Sequence, residues 1–160
     1  LPDALKSGRR VLLFSQFTSM LKIIRERLDQ AGIPSLYLDG ETSAQERMAL
    51  AERFNQGQDP VFLISLKAGG TGLNLTGADM VLHYDPWWNP TAEDQANDRA
   101  HRLGQDKTVQ IIHLITRNSI EEAVVEMGRR KRRLFDRLIT PGESMPTRLS
   151  RADVLRLFEK

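Results

Sequence analysis

Short apolar runs rich in Leu, Ile and Val alternate with helix-period stretches along most of this chain. RVLLFS (10–15) is a continuous apolar run, the pattern of a parallel strand covered on both faces. Phe17, Met20, Leu21, Ile24, Leu28 and Ala31 then recur at helical spacing up to Gly32, which reads as a helix stop. SLYL (35–38), VFLIS (61–65), MVLHY (80–84) and VQIIHLI (109–115) read as four further strands. SAQE (43–46) has capping-box spacing, with Ser43 as N-cap and Glu46 reaching back, and predicts a helix to about Phe54. Asn89 at an N-cap and Pro90 at the first helical position predict the next helix, with Thr91 and Asp94 as a competing box. SIEE (119–122) opens a long helix to about Leu138, and LSRAD (149–153) a short terminal one capped by Ser150 with Asp153.

Five strands alternating with helices predict an α/β fold: an open, mostly parallel sheet covered by helices on both faces. Ligands of such sheets bind at the loops leaving the carboxyl ends of the strands. The expected division is a main lobe over 1–140, its long helix at 119–138, followed by a connector and terminal helix over 141–160.

Composition narrows the picture by exclusion. The chain has 160 residues, enough for one sizeable core, with 40% apolar and 28% charged residues. There is no cysteine, and three scattered histidines argue against a zinc site, so no metal is expected on this chain. No apolar run approaches a membrane span and no signal peptide opens the sequence, so an intracellular protein is expected. A start at Leu1 suggests a fragment of something longer. From Ser119 onward ten Lys/Arg face seven Asp/Glu, while the first 118 residues sit near −1; any basic footprint is local.

Five stretches could carry chemistry. In DQANDRAHRLGQ (94–105), a helix would put Gln95, Arg99 and Arg102 on one face, where guanidinium forks suit phosphate oxygens. A solvated face with an Asp98–Arg102 ion pair is the plainer alternative. SLKAGGTGLNLTG (65–77) follows a strand, and Gly69, Gly70 and Gly72 would let backbone approach a ligand, or simply make a tight turn. HYDPWWNP (83–90) sets Trp87 and Trp88 in a loop, as a core lid or as a platform for nucleic acid or another lobe. Asp85 shapes that loop, and His83 and His113 read as structural. In FSQF (14–17), Ser15 and Gln16 are turn residues or phosphate-backbone contacts. RRKRR (129–133) sweeps more than a helical turn, so Lys131 must snorkel; a solvated helix competes with phosphate contact. No G-x-x-x-x-G-K-[ST] phosphate loop is present, nor a plausible Walker-B strand end.

VLLFSQFTSML, YLDGETSAQER, SLKAGGTGLNLTGADMVLHYDPWWNP and DRAHRLGQ follow one another in this order. Together they resemble the second RecA-like lobe of Swi/Snf-family DNA-dependent ATPases, within the superfamily-two helicases, over residues 9–138. SIEEAVVEMGRRKRRLFDRLI is similar to the brace-like helix of that family. The resemblance implies a RecA-like three-layer α/β/α lobe whose ATP, with Mg, is held mainly by a first lobe carrying the Walker residues. It implies Arg102 as arginine finger, Arg99 as a second phosphate-facing arginine, and nucleotide-lining positions at Gln95, Gly70, Gly72, Asn74 and Gln105. It implies DNA-backbone contacts from Ser15, Gln16, Ser65, Lys67 and Trp88. The implied activity is ATP-dependent translocation on double-stranded DNA or nucleoprotein remodelling. Partners would be that DNA and the N-terminal lobe of the same chain, with no membrane, in cytoplasm and nucleoid or in a nucleus. The isolated fragment would be monomeric and inactive. Leu66, Lys67 and Thr71 depart from common family residues, and Lys67 lacks the bidentate fork of arginine. A non-catalytic interaction module on a degenerate lobe is the rival expectation. A dinucleotide-binding domain is disfavoured, because no G-x-G-x-x-G follows the first strand.

Overall fold

The computed structural model describes residues 1–68, 72–87, 89–100 and 108–138. Five strands form one sheet: β1 (Val11–Ser15), β2 (Ser35–Leu38), β3 (Val61–Ser65), β4 (Met80–His83) and β5 (Gln110–His113). Their order is β2-β3-β1-β4-β5, and every pairing is parallel. Around them lie α1 (Pro2–Lys6), α2 (Thr18–Gln30), α3 (Ala44–Asn55), α4 (Pro90–Asn97) and α5 (Ile120–Leu138). The arrangement is the expected RecA-like α/β fold.

β1 is central and wholly buried, and its period of two divides the interior. Leu12 and Phe14 face a core shared with Ala51 and Phe54 of α3 and Ala96 of α4. Val11 and Leu13 face the other core, with Leu21 and Leu28 of α2 and, half-buried, Ala4 and Leu5 of α1. A continuous apolar run was therefore the correct sign of a strand with no solvent face.

Local stops behave as their residues dictate. Gly32 has φ 67°, and its N–H donates to Asp29 O while Ile33 N–H donates to Leu28 O, a Schellman ending for α2. Ser43 Oγ accepts from Glu46 N–H at 3.2 Å and caps α3. Ser119 Oγ accepts from Glu121 N–H at 3.1 Å ahead of α5.

Two expectations need correction, and one element was not foreseen. The helix after Pro90 ends at Asn97 instead of running on through the arginines, so Gln95 lies on α4 and Arg99 in the following turn. β5 is shorter than 109–115. α1 lacked a periodic signal, because five residues are too few to show one. The connector and terminal helix expected over 141–160 lie outside the described residues.

Candidate functional site

The chain leaves β1 toward β2 at one edge of the sheet and later adds β4 and β5 on the opposite side of β1. Such a reversal opens a crevice at the strands' carboxyl ends. The loops after β1, β3 and β4 meet there. Ser15 and Ser65 are direct partners across the β1–β3 ladder, and both are buried. Ser15 Oγ donates to the Asp85 carboxylate, and Gln16 N–H donates to Asp85 Oδ1 at 3.0 Å. Ser15 Oγ also accepts from Phe17 N–H at 3.0 Å. Asp85 thus fixes the exit of β1 from below, and the Ser15 hydroxyl points inward. Gln16 is half-buried and Lys67 exposed; with Leu66, Trp87 and Ala92 they line a shallow hollow of about 80 Å³.

The Gly-rich turn is held at both ends by residues distant in sequence. Arg47 of α3 donates from Nη1 to Ala68 O at 3.2 Å, from Nε to Thr42 O at 2.8 Å and from Nη2 to Asp39 O at 3.1 Å. One guanidinium therefore ties the 39–42 turn to the residue that enters the glycines. At the far end Asn55 donates to Asn74 O and accepts from Gly77 N–H, both at 2.9 Å. Between these anchors Gly72 (φ 36°) and Asn74 are exposed, with an open concavity of about 770 Å³ against Met48 and Glu52 of α3. The left-handed φ explains a glycine at 72.

Arg99 joins this turn to the segment after α4. Its Nη1 donates to Leu73 O at 3.4 Å, its own carbonyl accepts from Leu75 N–H at 3.0 Å, and it is 3% exposed. Gln95 is exposed on α4. Arg102, Gly70, Gln105 and Trp88 lie outside the described residues.

α4 itself is tied once to the loop after β4 and once to the sheet. Glu93 Oε1 accepts from Trp87 N–H at 2.9 Å, and Asn97 Oδ1 pairs with His83 Nε2 at 2.9 Å. His83 is buried between two rings, Phe14 at 5.6 Å and His113 at 4.6 Å, the latter nearly parallel. Burial pushes the His83 pKa down to about 4, against the opposing pull of Asn97. Burial likewise lowers His113 and raises Glu93. His83, Glu93 and His113 each place a ligand atom within 4.8 Å of the others. The stacked imidazoles keep their in-plane lone pairs in separate parallel planes, so as arranged they do not converge on one ion. A cavity of about 220 Å³ beside them is walled by Trp87, Glu93, His113, Val125 and Arg132.

Sequence patterns located the loops but not their ties. Arg47, Asn55, Asn97 and the acceptor role of Asp85 were missed, since each acts through a partner 14 to 70 residues away. Only Asp85, as a loop-shaping residue, left a local sign, its place before Pro86.

A family described as helicase conserved C-terminal domain matches residues 1–104. An uncharacterized ATP-dependent helicase of Mycoplasma genitalium is 40% identical over 158 residues, covering 98% of this chain and 15% of that protein. Helicase swr1 of Schizosaccharomyces pombe is 42% identical over 160 residues, covering 99% of this chain and 12% of that protein. The Arabidopsis thaliana protein CHROMATIN REMODELING 19 is 46% identical over 133 residues, covering 82% and 17%. A crystal structure of the C-terminal part of the Fun30 ATPase domain matches with TM-score 0.74 and 41% identity, over 78% of this chain and 40% of that one. The chain thus spans less than a fifth of the length of these curated relatives.

Proposed function

Because the chain belongs to the helicase conserved C-terminal domain family, in its Swi/Snf branch, we propose that it is the second motor lobe of an ATP-dependent double-stranded DNA translocase or nucleoprotein remodeller. The observation that carries this is the joining of the Gly-rich turn to the arginine segment through Arg99, Leu73 and Leu75. Two motifs far apart in sequence are thereby joined into one surface.

On that surface Gly72 and Asn74 would face the nucleotide, with Gly70, Gln95 and Gln105. Arg102 would act as the finger, neutralising charge that develops on the transferred phosphoryl group, an effect worth about 10³–10⁵ in rate in such enzymes. Arg99 would join it when the lobes close, exchanging the Leu73 carbonyl for a phosphate oxygen. The donors offered here are guanidinium, amide and backbone N–H groups, which suit phosphate and ribose oxygens. They do not suit Mg, a hard cation that takes oxygen ligands, so the metal would be held by the preceding lobe with the triphosphate. At the crevice, Gln16 and the exposed Lys67 would contact the DNA backbone, with Ser15 and Ser65 fixing the loops that present them; Trp88 would add a further DNA contact. Phosphate-directed contacts of this kind carry little sequence preference and weaken steeply with salt.

Among the described residues no helix is long and apolar enough to cross a membrane. An intracellular, DNA-containing compartment follows from the proposed substrate. Residues 1–160 alone would be a monomer that binds ATP poorly and hydrolyses none.

The test is DNA-stimulated ATP hydrolysis by the full-length protein. Arg102→Ala should abolish it while leaving the fold intact. Normal hydrolysis in that variant removes the finger role, and turnover by residues 1–160 alone removes the two-lobe reading.

A further inference from the structure

α4 ends at Asn97, two residues before Arg99 and five before Arg102. The turn over 98–100 is held by backbone bonds of ordinary type: Asp98 N–H to Asp94 O, Arg99 N–H to Ala96 O and Ala100 N–H to Asn97 O. These keep the turn on the end of the helix. They do not fix the helix end on the sheet. Gln95 and Asp98 are exposed and contribute no such tie, and Asp94 engages Arg132 of α5. At the end of α4 the side-chain hydrogen bond that runs down to the sheet is Asn97 to His83, while one turn earlier Glu93 lies 3.9 Å from His113 of β5 and Ala96 is packed in the core. An amide oxygen only accepts, so Nε2 of His83 carries the hydrogen. His83 is a rigid donor, because it is 1% exposed and sandwiched between the rings of Phe14 and His113.

We propose that the His83–Asn97 hydrogen bond is a positioning device for the arginine segment, setting where the turn that leads to Arg102 leaves the sheet. In this role His83 and Asn97 act through the chain that carries the arginines, as positioning residues. This rests on the proposed role of Arg102 as the finger. Opposite the Asn97 tie, Arg99 O accepts from Leu75 N–H, so the turn is held from the strand side and from the Gly-rich side at once. Loss of the strand-side tie would leave ATP capture by the first lobe intact and displace the finger. A displacement of about 1 Å at a reacting centre can lower rate about 100-fold. Glu93, Asp94 and Asn97 of α4, His113 of β5 and Phe14 of β1 surround the imidazole, and none of them supplies a second acceptor to Nε2 in the hydrogen bonds described.

The experiment uses the full-length protein with saturating double-stranded DNA and four variants. Asn97→Leu deletes the acceptor at similar volume, and His83→Phe keeps burial and stacking but deletes the donor. Asn97→Asp restores an acceptor oxygen, and His83→Gln restores an N–H near the Nε2 position. Asn97→Leu and His83→Phe should lower kcat about 10- to 100-fold with KM for ATP held within about twofold. Asn97→Asp and His83→Gln should each recover most of that loss. The inference is overturned if His83→Phe hydrolyses ATP like the parent, or if Asn97→Leu and Asn97→Asp fall equally. Should His83→Phe not fold, the Asn97 pair, at a half-buried helix end, decides alone. Arg102→Ala run in parallel separates the two ideas. If it retains hydrolysis, the finger reading fails. If it is dead while Asn97→Leu and His83→Phe are normal, only the positioning role fails.

Discussion

Nη1 of Arg99 donates to the carbonyl oxygen of Leu73 at 3.4 Å, and that contact closes a separation of 26 residues. An arginine buried to 3% exposure is a structural tie before it is anything else. Arg99 and Arg102 therefore should separate experimentally. Arg99→Ala should destabilise the lobe by about 1–3 kcal/mol, the usual range for leaving a buried polar partner unsatisfied. It should also slow hydrolysis by the full-length protein. Arg102→Ala should lose activity with little change in urea midpoint. Equal stability losses in the two variants would contradict the assignment.

Asp85 serves Ser15 and Gln16 together, so its removal should resemble a loop mutation more than a charge mutation. Asp85→Ala strands two donors and should cost about 1–3 kcal/mol, whereas Ser15→Ala should cost less. In a double-mutant cycle the two should be clearly non-additive, because each removes one partner of the same hydrogen bond. Additivity within error would mean the Ser15–Asp85 bond contributes nothing.

Gly77 has no left-handed φ; what it lacks is room. A Cβ there would lie 2.6 Å from Arg10 Nη1 and 3.0 Å from Asn55 Cα. Gly77→Ala should displace Asn55 from Asn74 and Gly77, loosening the Gly-rich turn at a cost of about 1–3 kcal/mol. Thermal unfolding measures the loss, and a raised KM for ATP in the full-length protein would accompany it.

His83 makes stability depend on pH with a definite sign. Its folded pKa of about 4 lies below the ordinary 6.5, so the unfolded chain takes up a proton first as pH falls. Stability from this group is complete above pH 6.5 and is lost between 6.5 and about 4. Lowering the pH from 7 to 5 should cost about 2 kcal/mol that His83→Phe does not lose. His113 acts in the same direction. Glu93, raised by burial, acts oppositely: its stability is full below its ordinary 4.5 and is lost as pH rises from there through its raised folded value. Urea unfolding at the two pH values checks the difference between parent and variant.

VFLIS was legible because a buried parallel strand has no polar face to confuse its pattern; SLYL, an edge strand whose burial alternates, also has the bounds the sequence implied. Caps were legible for a related reason: Ser43 and Gly32 act on backbone within a few residues of themselves. The arginine helix was overextended because DQANDRAHRLGQ contains no glycine until Gly104 and no proline at all, so nothing local marks its end. That end falls where the buried Ala100 and Arg99 dock on the core and on Leu73, which is a tertiary choice.

By itself the sequence determined the alternation of elements, the parallel sheet with two covered faces, and the loops where chemistry gathers. Those follow from periodicity and turn residues, which act over a few positions. The tertiary structure decided which side chains bind those loops together: Asp85 under Ser15, Arg47 and Asn55 around the glycines, His83 beneath Asn97. It also decided that Arg99 is buried in its own lobe. Each of these depends on strand order and on how a helix seats on the sheet. Hydrogen bonds between residues 14 to 70 positions apart leave no periodic trace in the chain that makes them.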